Sequence, residues 1–252
     1  MLLAMSSPMS APVIELREIV KDYPTARALA GVSLSVGAGE VFGYVGANGA
    51  GKTTTIKIMT GLIRPTSGEA LMCGRNINSD TLEVKSRIGY VPESGAIFEK
   101  LSPNEYLTIV GRLYRLQKQQ IRQRIDYWID YFGLTERLDQ RMEVFSKGTK
   151  QKICWIAALL HEPEILVLDE PLSGLDVETI AKVKELMRTL SSNGKTVFYS
   201  SHIIDVVEKV CTRIAILQRG RLIGSGTVDE VLRLAGTTSL EEGLVKLWQE
   251  HA

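Results

Sequence analysis

Gly46-Ala-Asn-Gly-Ala-Gly-Lys-Thr53 is a stretch in which backbone, rather than side chains, can surround an anion. Its glycines let consecutive N–H groups turn inward, Lys52 can reach the β- and γ-phosphates of a nucleotide, and the Thr53 hydroxyl is placed for magnesium. The flanks agree. Glu40-Val-Phe-Gly-Tyr-Val45 reads as a buried strand, and Thr53-Thr-Thr-Ile-Lys-Ile-Met-Thr60 as the first turns of a helix. Strand, glycine loop and helix N-terminus in that order aim a helix dipole at the phosphates. Gly46, Ala47, Asn48, Gly49, Ala50, Gly51, Lys52, Thr53 and Thr54 are therefore the candidate nucleotide-binding residues.

With 252 residues, 44% of them hydrophobic, the chain can bury an ample core as one large domain or two modest ones. Its formal net charge of +1 offers no basic excess, so nucleic acid is not an expected partner. Cys73, Cys154 and Cys211 are odd in number and too far apart for a short metal-ligand spacing, and they read as reduced structural thiols of a cytoplasmic protein. Met1 to Ile14 has no basic n-region and carries Pro8 and Pro12, so it reads as neither signal peptide nor membrane span. Residues 1–12 are expected to be a disordered lead-in, with a later start at Met5 or Met9 as an option.

Working outward, Val13–Val20 and Ala28–Val36 alternate with period two around the turn-like Asp22-Tyr-Pro-Thr25, predicting antiparallel strands, and Glu69–Cys73 predicts another after Thr66-Ser-Gly68. From Asn104 to Phe132 apolar residues recur at three- and four-residue spacing, which predicts a helical subdomain inserted after a strand at Ile88–Val91. Arg112, Arg115, Lys118, Arg122 and Arg124 make a cationic run there, either a solvated face or a surface for a partner or acidic headgroups. Strand and helix then alternate through Glu164–Asp169, Asp176–Leu190, Lys195–Ser200, Ile203–Val210 and Ile214–Leu217, the pattern of a mostly parallel sheet with crossover helices. A hairpin at Gln218–Arg221 and a helix at Ser239–Glu250 close the chain.

Hydrolysis would need a metal ligand and a base besides the cradle. The apolar run Ile165–Leu168 ends in Asp169-Glu170, and strands of an open parallel sheet present ligands at their C-terminal edge. Asp169 would hold magnesium, directly or through water, and Glu170 would orient or deprotonate an attacking water. Ser201-His202 follows a second such strand, which puts His202 on the same edge as a γ-phosphate contact.

Together these residues resemble the nucleotide-binding subunit of an ATP-binding cassette transporter, over residues 13–227. The resemblance implies an α/β fold: a P-loop NTPase core with a mostly parallel sheet, an N-terminal antiparallel β subdomain and an inserted α-helical subdomain at about 93–160. It implies one nucleotide-binding domain over 13–235, with 236–252 as a C-terminal helix. Tyr23 stands where the family stacks an aromatic on adenine. Phe145-Ser-Lys-Gly-Thr149 matches the family's signature, in which Ser146 and Gly148 supply a hydroxyl and an N–H to the γ-phosphate on the opposite subunit; by itself the segment reads as a serine-capped helix start near Lys150. Ser173-Gly-Leu-Asp176 matches the loop at the dimer seam.

Two departures from the family pattern cover three positions. Tyr90-Val-Pro-Glu93 carries Glu93 where glutamine is usual, still an oxygen ligand for the metal in a coupling loop and a resemblance to export-type members of the multidrug, antibiotic and polysaccharide efflux kind. Lys147 and Thr149 replace the usual Gly and Gln; Lys147 either attracts the opposite nucleotide or faces solvent, and Thr149 is too short for the same reach toward ribose. The implied mechanism is ATP hydrolysis by a homodimer or paired cassette around two Mg-ATP, peripheral at the cytoplasmic face of a membrane and driving a separate permease. The alternative is a mechanical clamp of the same family acting on nucleic acid or ribosomes, against which stand the lack of a heptad run between Thr53 and Ser146 and of a second P-loop. A GTP switch is disfavoured because no Asn-Lys-x-Asp segment occurs.

Overall fold

A computed structural model describes residues 11–95 and 97–250. Apart from Ala11 and Pro12, the expected lead-in and both alternative starts lie outside the described residues. In chain order the elements are β1 (Ile14–Tyr23), β2 (Ala26–Val36), β3 (Val41–Gly46), α1 (Lys52–Met59), β4 (Ser67–Met72), β5 (Arg75–Asn76), α2 (Thr81–Arg87) and β6 (Ile88–Val91). There follow α3 (Pro103–Leu113), α4 (Lys118–Tyr131), α5 (Lys147–Leu159), β7 (Ile165–Asp169), α6 (Val177–Ser192), β8 (Thr196–Ser201) and α7 (Ile204–Val210). The chain closes with β9 (Arg213–Gln218), β10 (Arg221–Thr227), α8 (Val228–Ala235) and α9 (Leu240–Glu250).

The strands form an antiparallel sheet in the order β2-β1-β4-β5 and a six-stranded sheet in the order β10-β9-β3-β8-β7-β6. In the second sheet β9, β3, β8, β7 and β6 run parallel, and only the β9–β10 hairpin is antiparallel. Period-two alternation explains why β3 can be buried on both faces: Phe42 and Tyr44 enter one core with Ile14, Leu16, Ile56 and Met59, while Val41 and Val45 enter another with Trp155, Val183 and Val207. β7 divides the same way, Ile165 and Val167 on the first side, Leu166 and Leu168 on the second. The sheet is thus clamped between the antiparallel sheet with α1 and the layer of α5, α6 and α7. Its C-terminal edge, where Gly46, Asp169 and Ser201 end their strands, is held rigid from both faces.

Differences from the sequence reading have local causes. The Asn104–Phe132 pattern is two helices, because after Leu113 the chain turns through Arg115 at φ 59° before Gln117 caps α4. α5 starts at Lys147 rather than Lys150, since the Ser146 hydroxyl accepts from the Thr149 N–H and opens the helix three residues earlier. β1 and β2 reach to Tyr23 and from Ala26, leaving only Pro24-Thr25 as the turn. β4 ends at Met72, with Cys73 already at φ 50°. α2 and α8 were not foreseen, although Thr227 and Glu230 form a reciprocal capping box that the Thr-x-x-Glu spacing spells out.

Candidate functional site

The cradle sits where β3 passes into α1. Gly49 and Gly51 take φ 79° and 113°, and Gly51 is the residue from which α1 starts. Lys52 is 7% exposed, and its ammonium donates to the Gly46 carbonyl at 2.6 Å and the Ala47 carbonyl at 3.3 Å. Around it opens a cavity of about 400 Å³ lined by Asn48, Gly49, Gly51, Lys52, Thr53 and Thr54, with Ala28, Glu93, Glu170 and His202 completing the wall. Residues from five separate stretches of chain therefore meet around one cavity, four of them following strands of the six-stranded sheet and Ala28 coming from β2. Tyr23 is outside that lining; it ends β1, is 41% exposed, and has the Lys21 ammonium 5.4 Å from its ring centre.

Parallel register delivers the acids. Asp169 pairs with Ser200 across β7 and β8, so the Ser200 hydroxyl donates to Asp169 Oδ1 at 2.8 Å, and Thr53 Oγ1 donates to the same oxygen at 3.4 Å. Burial pushes the Asp169 carboxyl above its ordinary value, with the two hydroxyls opposing the shift. Glu170, 9% exposed, holds φ 45°, a left-handed conformation that costs a glutamate about 1–3 kcal/mol and that such sites use to fix a side chain. Its Oε1 lies 2.9 Å from His202 Nδ1 and 3.8 Å from the Lys52 ammonium, and its Oε2 accepts from the Ser201 hydroxyl at 3.4 Å. With Nδ1–H donated to Glu170, His202 keeps Nε2 available to the cavity it lines.

The raised carboxyl of Asp169 carries a sign that can be checked. Because the folded state binds this proton more tightly than the unfolded one, Asp169 lowers stability as pH rises through the window from about 3.8 upward. Asp169→Asn keeps an oxygen for the Ser200 and Thr53 hydroxyls and removes the buried charge. Its thermal midpoint at neutral pH is expected to equal or exceed that of the parent; a lower midpoint contradicts this.

Ser146–Thr149 stands apart from the cavity, at the N-terminus of α5. Ser146 Oγ lies 2.9 Å from the Thr149 hydroxyl. Lys147 is exposed, and its ammonium donates to the Ser173 hydroxyl of the same chain at 2.7 Å. Gly148 comes so near the Gly174 carbonyl that a Cβ has no room. Gly148→Ala must therefore pry α5 from the 173–176 loop, with an expected loss of about 1–3 kcal/mol in thermal or urea unfolding. Asp176 caps α6 through the Thr179 N–H and pairs with Lys152 at 3.1 Å; these contacts, the Thr179 bond first, hold its carboxyl well below the usual range.

Three contributors went unnoticed in the sequence. Ser200 and Ser201 steady the two acids, and their place beside His202 was the available signal. Gln151, fully buried, donates to the carbonyls of Pro92 and Pro171 at 3.0 and 3.3 Å, and so links the Glu93 segment to the Glu170 turn through α5. Nothing in its spacing distinguishes it from a helix-core glutamine.

A strand–glycine-loop–helix cradle with acids on the neighbouring strand ends defines a P-loop nucleotide-binding protein. The family model described as ABC transporter matches residues 29–173. The chain is 39% identical over 234 residues to an uncharacterized ABC transporter ATP-binding protein of Synechocystis, covering 89% of this chain and 66% of that protein, so it spans just under two thirds of that relative's length. It is 37% identical over 230 residues to the linearmycin resistance ATP-binding protein of Bacillus subtilis, covering 91% and 74%. Its fold matches the ATP-binding cassette MJ0796, solved as a dimer in a post-hydrolysis state bound to ADP and Pi, with a TM-score of 0.79, 26% identity and coverage of 85% and 98%. The chain belongs to the ABC transporter family, as an ATP-binding cassette of the ATPase fold.

Proposed function

We propose that this chain is the ATP-hydrolysing subunit of an exporter: two cassettes pair head to tail around two Mg-ATP, and their closing and opening drive a separate transmembrane permease at the cytoplasmic face. The observation that carries the pairing is the split of the site. Cradle, Glu170 and His202 wall one cavity, while the Ser146–Thr149 helix start, an N-terminus able to meet an anion, lies outside it. A second cassette, another copy or a paired subunit, supplies what each half lacks. ATP then favours the closed pair because it binds both faces only there. Tyr23 would stack on the adenine ring, and Asp176 would lie at the seam.

The donors fit magnesium. Thr53 Oγ1 and Asp169 Oδ1 converge as hard oxygens, Glu93 lines the same cavity, and the desolvated Asp169 carboxylate is a group that a cation would relieve. Among the described residues no group of three or more His, Cys, Asp or Glu side chains makes a protein-only metal site, so nucleotide and water would complete the coordination. Bound there, the ion would supply charge neutralisation for the phosphates. Glu170 would accept the proton of the attacking water, His202 would hold Glu170 and contact the γ-phosphate, and Lys52 would leave the Gly46 and Ala47 carbonyls for the phosphates.

No helix among the described residues is long and apolar enough to cross a membrane, which supports a separate permease. Export is supported by Glu93 and by the relative named for linearmycin resistance. Light scattering of Glu170→Gln in saturating Mg-ATP tests the pairing: the mass should double, and should return to that of one chain in Mg-ADP. A single-chain mass with ATP fully bound overturns the paired-copy reading.

A further inference from the structure

The β9–β10 hairpin turns through Arg219 at φ 46° and Gly220 at φ 74°, two consecutive left-handed residues between the paired Gln218 and Arg221, the pattern of a type I′ turn. An arginine at the first of these positions is unfavourable, and the turn keeps it. What the turn does in exchange is contact the cradle. The Gly220 N–H donates to the Ala50 carbonyl at 2.9 Å, and the Gly220 carbonyl accepts from the Ala30 N–H at 2.8 Å. A Cβ at Gly220 would stand 2.5 Å from the Ala28 carbonyl oxygen and 3.0 Å from Leu29 Cα, and Ala28 lines the nucleotide cavity. From the other side, Gln218 Nε2 donates to the Trp248 carbonyl of α9 at 2.9 Å.

The Ala50–Gly51 peptide is trans and planar, so its C=O and N–H point in opposite directions. Anchoring the Ala50 carbonyl outward on Gly220 therefore turns the Gly51 N–H inward, where a cradle needs its donors. The same glycine ties that peptide to Ala30 of β2, fixing the distance between the phosphate end of the cavity and the wall that Ala28 provides.

We infer that Gly220 is a positioning residue for nucleotide binding: the hairpin tip orients the Ala50–Gly51 peptide of the cradle and registers it against β2. This deepens the reading of Gly46–Thr53 as an ATP site and rests on it. Glycine is required twice over, by its positive φ and by the absence of space, and no side chain of the turn need touch the ligand.

A backbone ester separates this role from simple stability. Cys211 allows a synthetic segment 211–252 to be ligated to residues 1–210, with glycolic acid at position 220 so that the N–H is lost and no Cβ is added. Relative to the all-amide ligated chain, the Kd for Mg-ATP and for Mg-pyrophosphate should rise together about five- to tenfold, the weight of one backbone hydrogen bond, and KM for ATP should follow. Gly220→Ala should weaken both ligands further; if it does not fold, the ester chain still decides. A lowered thermal midpoint with unchanged Kd for both ligands overturns the inference and makes the turn merely structural. An all-amide chain that binds neither ligand overturns the ATP reading itself, and the inference with it.

Discussion

Glu170→Gln is expected to retain ATP and to release phosphate about 10²–10⁴-fold more slowly, the usual scale for a positioned general base. The substitution is nearly isosteric, and the hydrogen bonds of the parent side chain survive in kind: the amide oxygen can still accept from His202 Nδ1, now 2.9 Å from Oε1, and the Ser201 hydroxyl still has a neighbour, while the charge facing the Lys52 ammonium at 3.8 Å is lost. What is removed is the negative charge and with it the capacity to take a proton from water. Loss of rate with binding intact therefore isolates chemistry from folding and from nucleotide affinity. Glu170→Asp makes the complementary point, since it keeps the charge but withdraws the carboxylate by one methylene; misplacement by about 1 Å can itself cost about 10²-fold. Equilibrium titration of ATP beside single-turnover phosphate release reads both quantities, and unimpaired release from Glu170→Gln would falsify the assignment of Glu170 as base.

What could be read without coordinates divides along the range of the interactions. Gly46–Thr53 was legible because cradle, lysine and helix start are contiguous, and the strand before them is an uninterrupted apolar run. The edge on which Asp169 and His202 meet followed from the alternation of strands and helices, because a parallel order leaves the strand ends together. The hydroxyl of Ser200 on Asp169 could not be read, since it depends on a β7–β8 register that residues 31 apart set only when the sheet forms. The bond of Lys147 to Ser173 could not be read for the same reason: its partner lies in the loop after β7, 26 residues away. Local capping should have revealed α8 and the true start of α5, because both signals are within four residues. The half-site role proposed for Ser146–Thr149 rests on resemblance; the fold itself places the segment at the start of a 13-residue helix outside the cavity.

Lys52→Ala is expected to act one step earlier and weaken ATP binding itself, by roughly 10–10²-fold, because charge-assisted hydrogen bonds to phosphate count for about 1.5–3 kcal/mol. The ammonium is buried and committed to two cradle carbonyls and to the field of Glu170 at 3.8 Å. Phosphate binding is thus an exchange of partners within a preformed pocket. The energy gained is the difference between phosphate oxygens and the carbonyls of Gly46 and Ala47. Alanine loses that gain and also leaves the two carbonyls and the Glu170 carboxylate without their cation, so a modest fall in thermal midpoint should accompany the loss of affinity. Lys52→Arg should not restore full binding, since a planar guanidinium fork does not reproduce the compact ammonium that meets the Gly46 and Ala47 carbonyls. Adenosine discriminates the cause: it has no phosphates, so its weak binding should be the same in parent and Lys52→Ala, whereas ATP binding should separate them. Equal affinity of both proteins for ATP would contradict the cradle reading, and equal loss for adenosine and ATP would mean that the pocket had collapsed rather than lost a phosphate ligand.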